Sequence, residues 1–180
     1  MSALVRVAQN EEVIIKKVLD MGADGIIVPM VNSAQDARKA VGFAQYPPAG
    51  TRGVGLYRAQ GYGTQFDEYQ RKVQEDIAVI VQIEHIDAVR DIHQIMQVPG
   101  VDAAIIGPYD LSASMGYPGH FERSDVKQAI ADVIKHCTSI QKPVGFHVID
   151  SDPNSLIAKI NEGCRFLAYS LDFFFLGDSA

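Results

Sequence analysis

The sequence has no tryptophan, only two cysteines and no long apolar run. Cys137 and Cys164 are too isolated to indicate a disulfide framework or a zinc-ligand spacing, so a reducing compartment is expected. The apolar runs fall far below the roughly 20 residues that a membrane-spanning helix needs. The first ten residues lack the charged and apolar regions of a secretory signal. We therefore expect a cytoplasmic protein with no membrane partner.

Basic charge is also scarce, since 16 Lys and Arg stand against 22 Asp and Glu, for a net charge of -6. The basic residues form no cluster, so the electrostatic footprint of a nucleic-acid-binding protein is missing, and no nucleic-acid partner is expected. The apolar content of 47% and the charged content of 21% are typical of one ordinary globular domain. Disorder and collagen-like structure are excluded.

Short, nearly continuous apolar runs alternate with segments of helical period. This alternation predicts βα units around a parallel sheet whose strands are covered on both faces. Six strands are predicted, at Ala3–Val7, Gly25–Met30, Ala78–Glu84, Asp102–Gly107, Val144–Ile149 and Phe166–Leu171.

Several helix signals lie between these strands. Asn10 is predicted to cap the first helix, and Ser33 with Asp36 forms a capping-box pattern for the second. Helical spacing of apolar residues predicts further helices over His85–Met96 and Ser124–Cys137. A helix end followed by Gly and a buried strand recurs three times, which predicts a repeated βα module in a barrel or a doubly wound sheet. No G-x-G-x-x-G follows a strand, which disfavours dinucleotide binding.

One long segment departs from the βα pattern. Residues Gln45–Glu75 are rich in proline and glycine and contain several aromatic residues. A connection of this length usually shapes a site, and we interpret its aromatic residues as packing groups rather than as a stacking platform.

Polar side chains stand at the carboxyl end of most of the predicted strands. These are Arg6, Gln82, Glu84, Asp110, His147, Asp150, Ser170 and Asp172. In parallel βα folds the loops after the strands gather at one rim, which carries the chemistry. Glu84 and Asp110 follow neighbouring strands about 4.8 Å apart, close enough for both carboxylates to reach one hard cation. An all-oxygen site with open positions suits magnesium or manganese.

Each of these residues also has a structural interpretation. Glu84 could begin the helix at His85, and Asp110 could cap a helical turn over Leu111–Met115. Arg6 could be an exposed charge near a chain end. His147, inside an apolar strand, is interpreted as a hydrogen-bonded barrel histidine in preference to a ligand or base.

The motifs that surround these residues resemble one family. They are V-P-M-V at 28–31, Y-P-P-A-G-T-R-G-V-G at 46–55, V-Q-I-E at 81–84, and the run over 100–112 that contains G-P-Y-D-L-S. Together they resemble the metal-dependent class II pyruvate aldolases of the HpcH/HpaI type, which include the 2-keto-3-deoxyglucarate and 4-hydroxy-2-oxoheptanedioate aldolases. The resemblance covers nearly the whole chain. It implies an α/β fold of the TIM-barrel type, specifically the phosphoenolpyruvate/pyruvate kind, and a homo-oligomer.

The resemblance also implies roles for individual residues. Glu84 and Asp110 match the metal ligands, with Mg, Mn or Co as the divalent ion. Gln82, Tyr109 and Asp110 match positions that hold the substrate, and Tyr109 is larger than the residue usually found there. Arg6 matches the catalytic arginine that faces the keto oxygen. Asp20 matches the catalytic partner of a proton-handling histidine, and that histidine has no counterpart in this sequence.

The resemblance further implies that residues 1–180 form a single aldolase-like domain without the family's first two βα units and last helix. About six of the eight βα units of a barrel are therefore expected, and the open strand edges predict association. The implied reaction cleaves a 4-hydroxy-2-oxo acid to pyruvate and an aldehyde through a metal-stabilised enolate. Two alternatives stay open. One is an impaired remnant that binds metal and 2-oxo acid or serves as an interaction module, and the other is a citrate-lyase-like acyl-CoA lyase.

Overall fold

A computed structural model describes the backbone of residues 1–180 and every side chain except that of Gln74. Six short strands form its sheet. They are β1 (Leu4–Arg6), β2 (Gly25–Val28), β3 (Ala78–Ile83), β4 (Ala103–Ile106), β5 (Val144–Val148) and β6 (Phe166–Tyr169). Each lies inside one of the six predicted strands, so the sequence pattern is confirmed.

All neighbouring strands are parallel, and their spatial order is the order of the sequence. This order is that of consecutive βα units in a barrel, and it excludes the doubly wound alternative, whose strand order reverses. In the part of the chain that the structure describes, β1 and β6 each pair on one side only. The sheet is therefore a curled half-barrel, as expected for six βα units.

A short 3₁₀ helix (Arg58–Gly63) and nine α-helices accompany the strands in the described chain. They are α1 (Glu12–Asp20), α2 (Ala34–Ala44), α3 (Phe66–Asp76), α4 (Ile86–Arg90), α5 (Ile92–Met96), α6 (Pro108–Ser114), α7 (Ser124–Ser139), α8 (Pro153–Asn161) and α9 (Asp172–Asp178). None of the described helices is long and apolar enough to cross a bilayer.

The two faces of the sheet bury different sets of side chains. On the helix-covered face, residues such as Val79, Val81 and Ile106 join the large core that also contains Ile15 and Val133 from the helices. On the opposite face a small cluster forms from Ile80, Ala103 and Ile105, with Ile27, Phe166 and Ala168 packed against it. We call this second surface the inner face. Because side chains alternate between the two faces along a strand, residues at every second position before and after these cluster residues also face inward.

Some local predictions need correction. Asn10 does not cap α1. The N-cap is Glu11, and the Asn10 amide instead donates to the Asp36 carbonyl at 2.9 Å. The predicted helix over His85–Met96 is two short helices, because the backbone at Asp91 leaves helical geometry. Asp91 accepts a hydrogen bond from the Ala34 N–H at 3.0 Å, which fixes this break against the start of α2.

Other local predictions hold. Ser33 accepts a hydrogen bond from the Asp36 N–H at 3.2 Å and donates to the Asp36 carboxylate at 2.7 Å, so it caps α2. The predicted helix over Ser124–Cys137 is α7, which continues two residues further, to Ser139.

Candidate active site

Glu84 is the centre of the candidate site. It follows β3 directly, and its side chain is buried, with 2% of the residue exposed. Its Oε1 accepts a hydrogen bond from the Met30 N–H at 2.8 Å, and its Oε2 accepts one from the Gln82 Nε2 at 2.5 Å. Met30 has a left-handed φ of 52°, in the turn that follows β2. Two neighbouring strand ends therefore hold one carboxylate in a fixed position.

Other charges converge on this carboxylate. Burial raises the pKa of Glu84 above its ordinary value, and the negative charge of Asp110 raises it further. The Met30 N–H, the positive charge of Arg6 and the Gln82 amide act in the opposite direction. The charges of Asp110 and Arg6 therefore influence the Glu84 carboxylate in opposite directions.

Asp110 lies in the first turn of α6, on the loop side of β4. The N-cap of this helix is Gly107, so Asp110 does not have the capping role that its position suggested. The residue is exposed, in contrast to Glu84. An acidic group in the first turn is favoured by the helix dipole, but that position also leaves its carboxylate available to a ligand at the rim.

A glycine makes room beside the two site residues of β3. A Cβ atom at Gly107 would lie 2.9 Å from the Gln82 Nε2, 3.1 Å from the Glu84 Cβ and 3.2 Å from the Glu84 Oε2. Any larger residue at Gly107 would therefore crowd the Glu84 carboxylate. The glycine therefore keeps the β4 side of this carboxylate free of a neighbouring side chain.

The chemistry of these donors fits a hard divalent cation. Magnesium is usually held by one or two carboxylates, with water and substrate oxygens completing its coordination. Glu84 and Asp110 supply two carboxylates, and the like-charge repulsion between them is relieved by a cation. No larger group of acidic, histidine or cysteine side chains suited to a metal is present among the residues that the structure describes.

Arg6 ends β1 and is exposed. It pairs in register with Ile27, which belongs to the inner face, so Arg6 also points to that face. No described hydrogen bond or ion pair uses its guanidinium. Glu84 follows Ile80 by four positions and so faces the same side of the sheet as Arg6.

The structure separates Asp20 from these residues. Asp20 is the last residue of α1, and the chain then passes directly into the start of β2. It therefore lies at the rim of strand starts, opposite the rim of Glu84. There its Oδ1 forms an ion pair with Arg52 Nη2 at 2.7 Å, and its Oδ2 is bonded by Lys16. These contacts give Asp20 a structural environment, and its catalytic role stays a prediction.

Arg52 is the residue of this rim that the sequence argument missed. Its side chain is completely buried, and its guanidinium lies 4.7 Å from the Tyr46 ring centroid and 5.5 Å from that of Tyr69. Both Nη atoms also donate to the Tyr69 hydroxyl at 3.1 Å. Tyr46 and Tyr69 of the 45–75 segment thus pack around a buried ion pair, whereas Tyr57 and Tyr62 of the same segment are exposed. The sequence signal that could have indicated this buried arginine is its position between glycines in a tyrosine-rich segment.

Tyr109 precedes Asp110 and is half-exposed. It lines a cavity of about 630 Å³ at the rim of strand ends. The other lining residues are Gly119, Phe121, Ile149, Asp150, Ser151, Phe174 and Asp178. The cavity lies on the β5 and β6 side of Asp110, whereas Glu84 lies on the β3 side.

Comparison with known proteins gives this architecture a family. An open sheet of consecutive parallel βα units, with polar side chains at its strand ends, defines an α/β protein of the TIM-barrel type. Residues 1–176 match the HpcH/HpaI aldolase/citrate lyase family. A solved structure of a family protein from Burkholderia cenocepacia J2315 superposes with a TM-score of 0.92 at 32% identity, covering 98% of this chain and 69% of that one.

Relatives of known name support the same family. A 2-dehydro-3,6-dideoxy-6-sulfogluconate aldolase of Pseudomonas putida is 37% identical over 94% of this chain and 66% of its own length. A hydroxypyruvate/pyruvate aldolase of Sagittula stellata is 39% identical over 95% of this chain and 67% of its own. A 4-hydroxy-2-oxo-heptane-1,7-dioate aldolase of Shigella flexneri is 39% identical over 98% and 66%. This chain belongs to the HpcH/HpaI family and spans about two thirds of the length of these relatives.

Proposed function

We propose that this chain carries the chemistry of a carbon–carbon lyase that cleaves a 4-hydroxy-2-oxo acid to pyruvate and an aldehyde. The observation that supports the proposal is the placement of Arg6, Glu84 and Asp110 at the carboxyl ends of β1, β3 and β4 in one parallel sheet. The relatives named as aldolases of pyruvate, hydroxypyruvate and 4-hydroxy-2-oxo-heptane-1,7-dioate support the reaction class.

Glu84 and Asp110 are the residues that would hold the divalent ion, Mg²⁺, Mn²⁺ or Co²⁺. Such an ion supplies positive charge that polarises the oxygens of a 2-oxo acid. Gln82 donates to the Glu84 Oε2 and so fixes the direction of that carboxylate. A side chain that orients a metal ligand in this way typically affects metal affinity about 10- to 100-fold.

The remaining residues act on the substrate. The exposed Arg6 guanidinium would stabilise the negative oxygen that develops at C2 as the C3–C4 bond breaks. The backbone N–H groups of Tyr109 and Asp110 lie in the first turn of α6, where they have no partner within the helix. They are suited to bind the substrate carboxylate. The Tyr109 side chain would then face the aldehyde half of the substrate.

The test is cleavage of 4-hydroxy-2-oxopentanoate in the presence of Mn²⁺, with pyruvate and acetaldehyde followed by proton NMR. We expect Glu84→Gln and Asp110→Asn to lose pyruvate release, and Arg6→Met to lower kcat by about 100-fold or more, which is the typical cost of removing one such donor. Glu68→Gln, an exposed residue of α3, is the matched control and should keep full activity. Unchanged turnover in Glu84→Gln would reject the assignment.

The expectations of a cytoplasmic location and a homo-oligomer belong to the same proposal. Exposed apolar side chains on α9, including Phe173 and Leu176, support self-association, as do the unpaired outer edges of β1 and β6. Light scattering after gel filtration measures the mass in solution. A strictly monomeric chain at all concentrations would contradict the expected association.

A further inference from the structure

The strand register places His147 beside the candidate site. In the ladder, Ile83 pairs with Ile106 and Ile106 pairs with Phe146. The next residues in line on these three neighbouring strands are Glu84, Gly107 and His147. They therefore stand at one level of the sheet, just where the strands end.

These residues also share the inner face. His147 pairs with Ala168, which packs against the inner cluster of Ile80, Ala103 and Ile105. Gly107 is two positions after Ile105, and the short distances from its ideal Cβ show directly that it adjoins Glu84. Because Gly107 has no side chain, no side chain at this position of β4 separates Glu84 from His147. With strands about 4.8 Å apart, the backbones of β3 and β5 are separated by roughly 10 Å, enough for a small substrate between them.

The environment of His147 differs from that of a structural histidine. His147 is half-buried, and none of the hydrogen bonds described in the structure uses its imidazole ring. The sequence-based interpretation as a hydrogen-bonded barrel histidine therefore has no partner to support it. Burial lowers the pKa of His147 below its ordinary value, because it disfavours the charged imidazolium relative to the neutral imidazole. A neutral imidazole has an acceptor nitrogen available for a proton.

The other four histidines are placed differently. His85 accepts a hydrogen bond from the Asp87 N–H at 3.2 Å and caps α4. His93 and His136 lie next to each other on helices outside the sheet, with ring centroids 5.4 Å apart and ring planes tilted by 58°. His120 is exposed in the loop before α7. His147 is therefore the one histidine of the described chain on the inner face.

We propose that His147 is a catalytic residue that accepts the proton of the substrate's C4 hydroxyl. This inference rests on the proposed aldolase function and deepens it. With the 2-oxo acid end held at Glu84 and Asp110, the C4 end extends across Gly107 toward β5. The imidazole takes the hydroxyl proton, the O–H electron pair forms the aldehyde C=O, and the C3–C4 bonding pair passes to the pyruvate enolate. Return of a proton from the imidazolium to C3 completes pyruvate and restores the neutral histidine.

The test compares His147→Gln and His147→Leu with the wild type and with His136→Gln, a matched control on an outer helix. Cleavage of 4-hydroxy-2-oxopentanoate is measured with Mn²⁺ present. Binding of 2-oxopentanoate, which lacks the C4 hydroxyl, is measured by calorimetry under the same conditions. Since general base catalysis contributes typically 10²- to 10⁴-fold, we expect kcat to fall at least about 100-fold in both His147 variants. The dissociation constant for 2-oxopentanoate should stay within about twofold, because uniform ground-state binding is not removed.

The outcomes separate this inference from the function on which it rests. Near wild-type cleavage in either His147 variant overturns the role of His147 and leaves the aldolase proposal standing. Loss of cleavage together with equally weakened 2-oxopentanoate binding also overturns it, since His147 would then be structural. Absence of cleavage in the wild type, with Mn²⁺ bound, overturns the proposed function and this inference with it.

Discussion

Replacing Asp20 by Asn should lower the stability of the fold strongly. Arg52 is completely buried, and its ion-pair partner in the structure is Asp20, at 2.7 Å. The substitution keeps the shape of the side chain but leaves the guanidinium charge buried without a counter-charge. Breaking a buried pair in this way typically costs about 3–5 kcal/mol. For a domain of this size each kcal/mol lowers Tm by roughly 2–4 °C, so a decrease of about 6–20 °C is expected.

The assay is thermal unfolding followed by circular dichroism at neutral pH. Glu68→Gln removes one partner of an exposed pair with Lys72 and should leave Tm nearly unchanged. The double variant Asp20→Asn, Arg52→Met should be less destabilised than Asp20→Asn alone, because the uncompensated charge is gone. If Asp20→Asn keeps the wild-type Tm yet abolishes pyruvate release, the structural reasoning is refuted and the catalytic prediction for Asp20 gains support.

Two further substitutions test the geometry around Glu84. Gly107→Ala should displace the Glu84 carboxylate, because the added Cβ would lie 3.1 Å from the Glu84 Cβ. We therefore expect Mn²⁺ affinity to fall about 10-fold or more in a calorimetric titration. Unchanged affinity would show that the site tolerates a methyl group at this position. Tyr109→Ala should enlarge the cavity beside Asp110, raising kcat/KM for 4-hydroxy-2-oxo acids with bulky aldehyde halves about tenfold relative to 4-hydroxy-2-oxopentanoate. An unchanged ratio in competition kinetics would place Tyr109 outside the substrate's path.

The sheet could be predicted from the sequence because its strands are covered on both faces. Runs such as Ala78–Ile83 carry apolar residues at nearly every position, which distinguishes them from the helical periods around them. The break at Asp91 was not predictable from spacing, because the apolar period continues across it. Asp91 leaves the helix where its carboxylate bonds the Ala34 N–H, and that contact is remote in sequence.

The candidate site was predictable in part for a similar reason. Residues that end parallel strands meet at one rim of the sheet. The sequence alone was therefore enough to group Arg6, Gln82, Glu84 and Asp110. Asp20 could not be placed by that argument, since it ends a helix and lies at the opposite rim. Its contact with Arg52 joins residues 32 positions apart, and Arg52 lies in the long segment that departs from the βα pattern. The placement of Glu84 and His147 at the same height in the sheet could be recognised only from the register of β3, β4 and β5.

The most direct test of the account is a Mn²⁺ titration of the purified chain, followed by the electron paramagnetic resonance signal of free Mn²⁺, with and without pyruvate. We predict one saturable site in the wild type, tighter when pyruvate is present, and loss of that site in both Glu84→Gln and Asp110→Asn. Equal Mn²⁺ binding by the wild type and these two variants would contradict the claim that the two carboxylates form a metal centre.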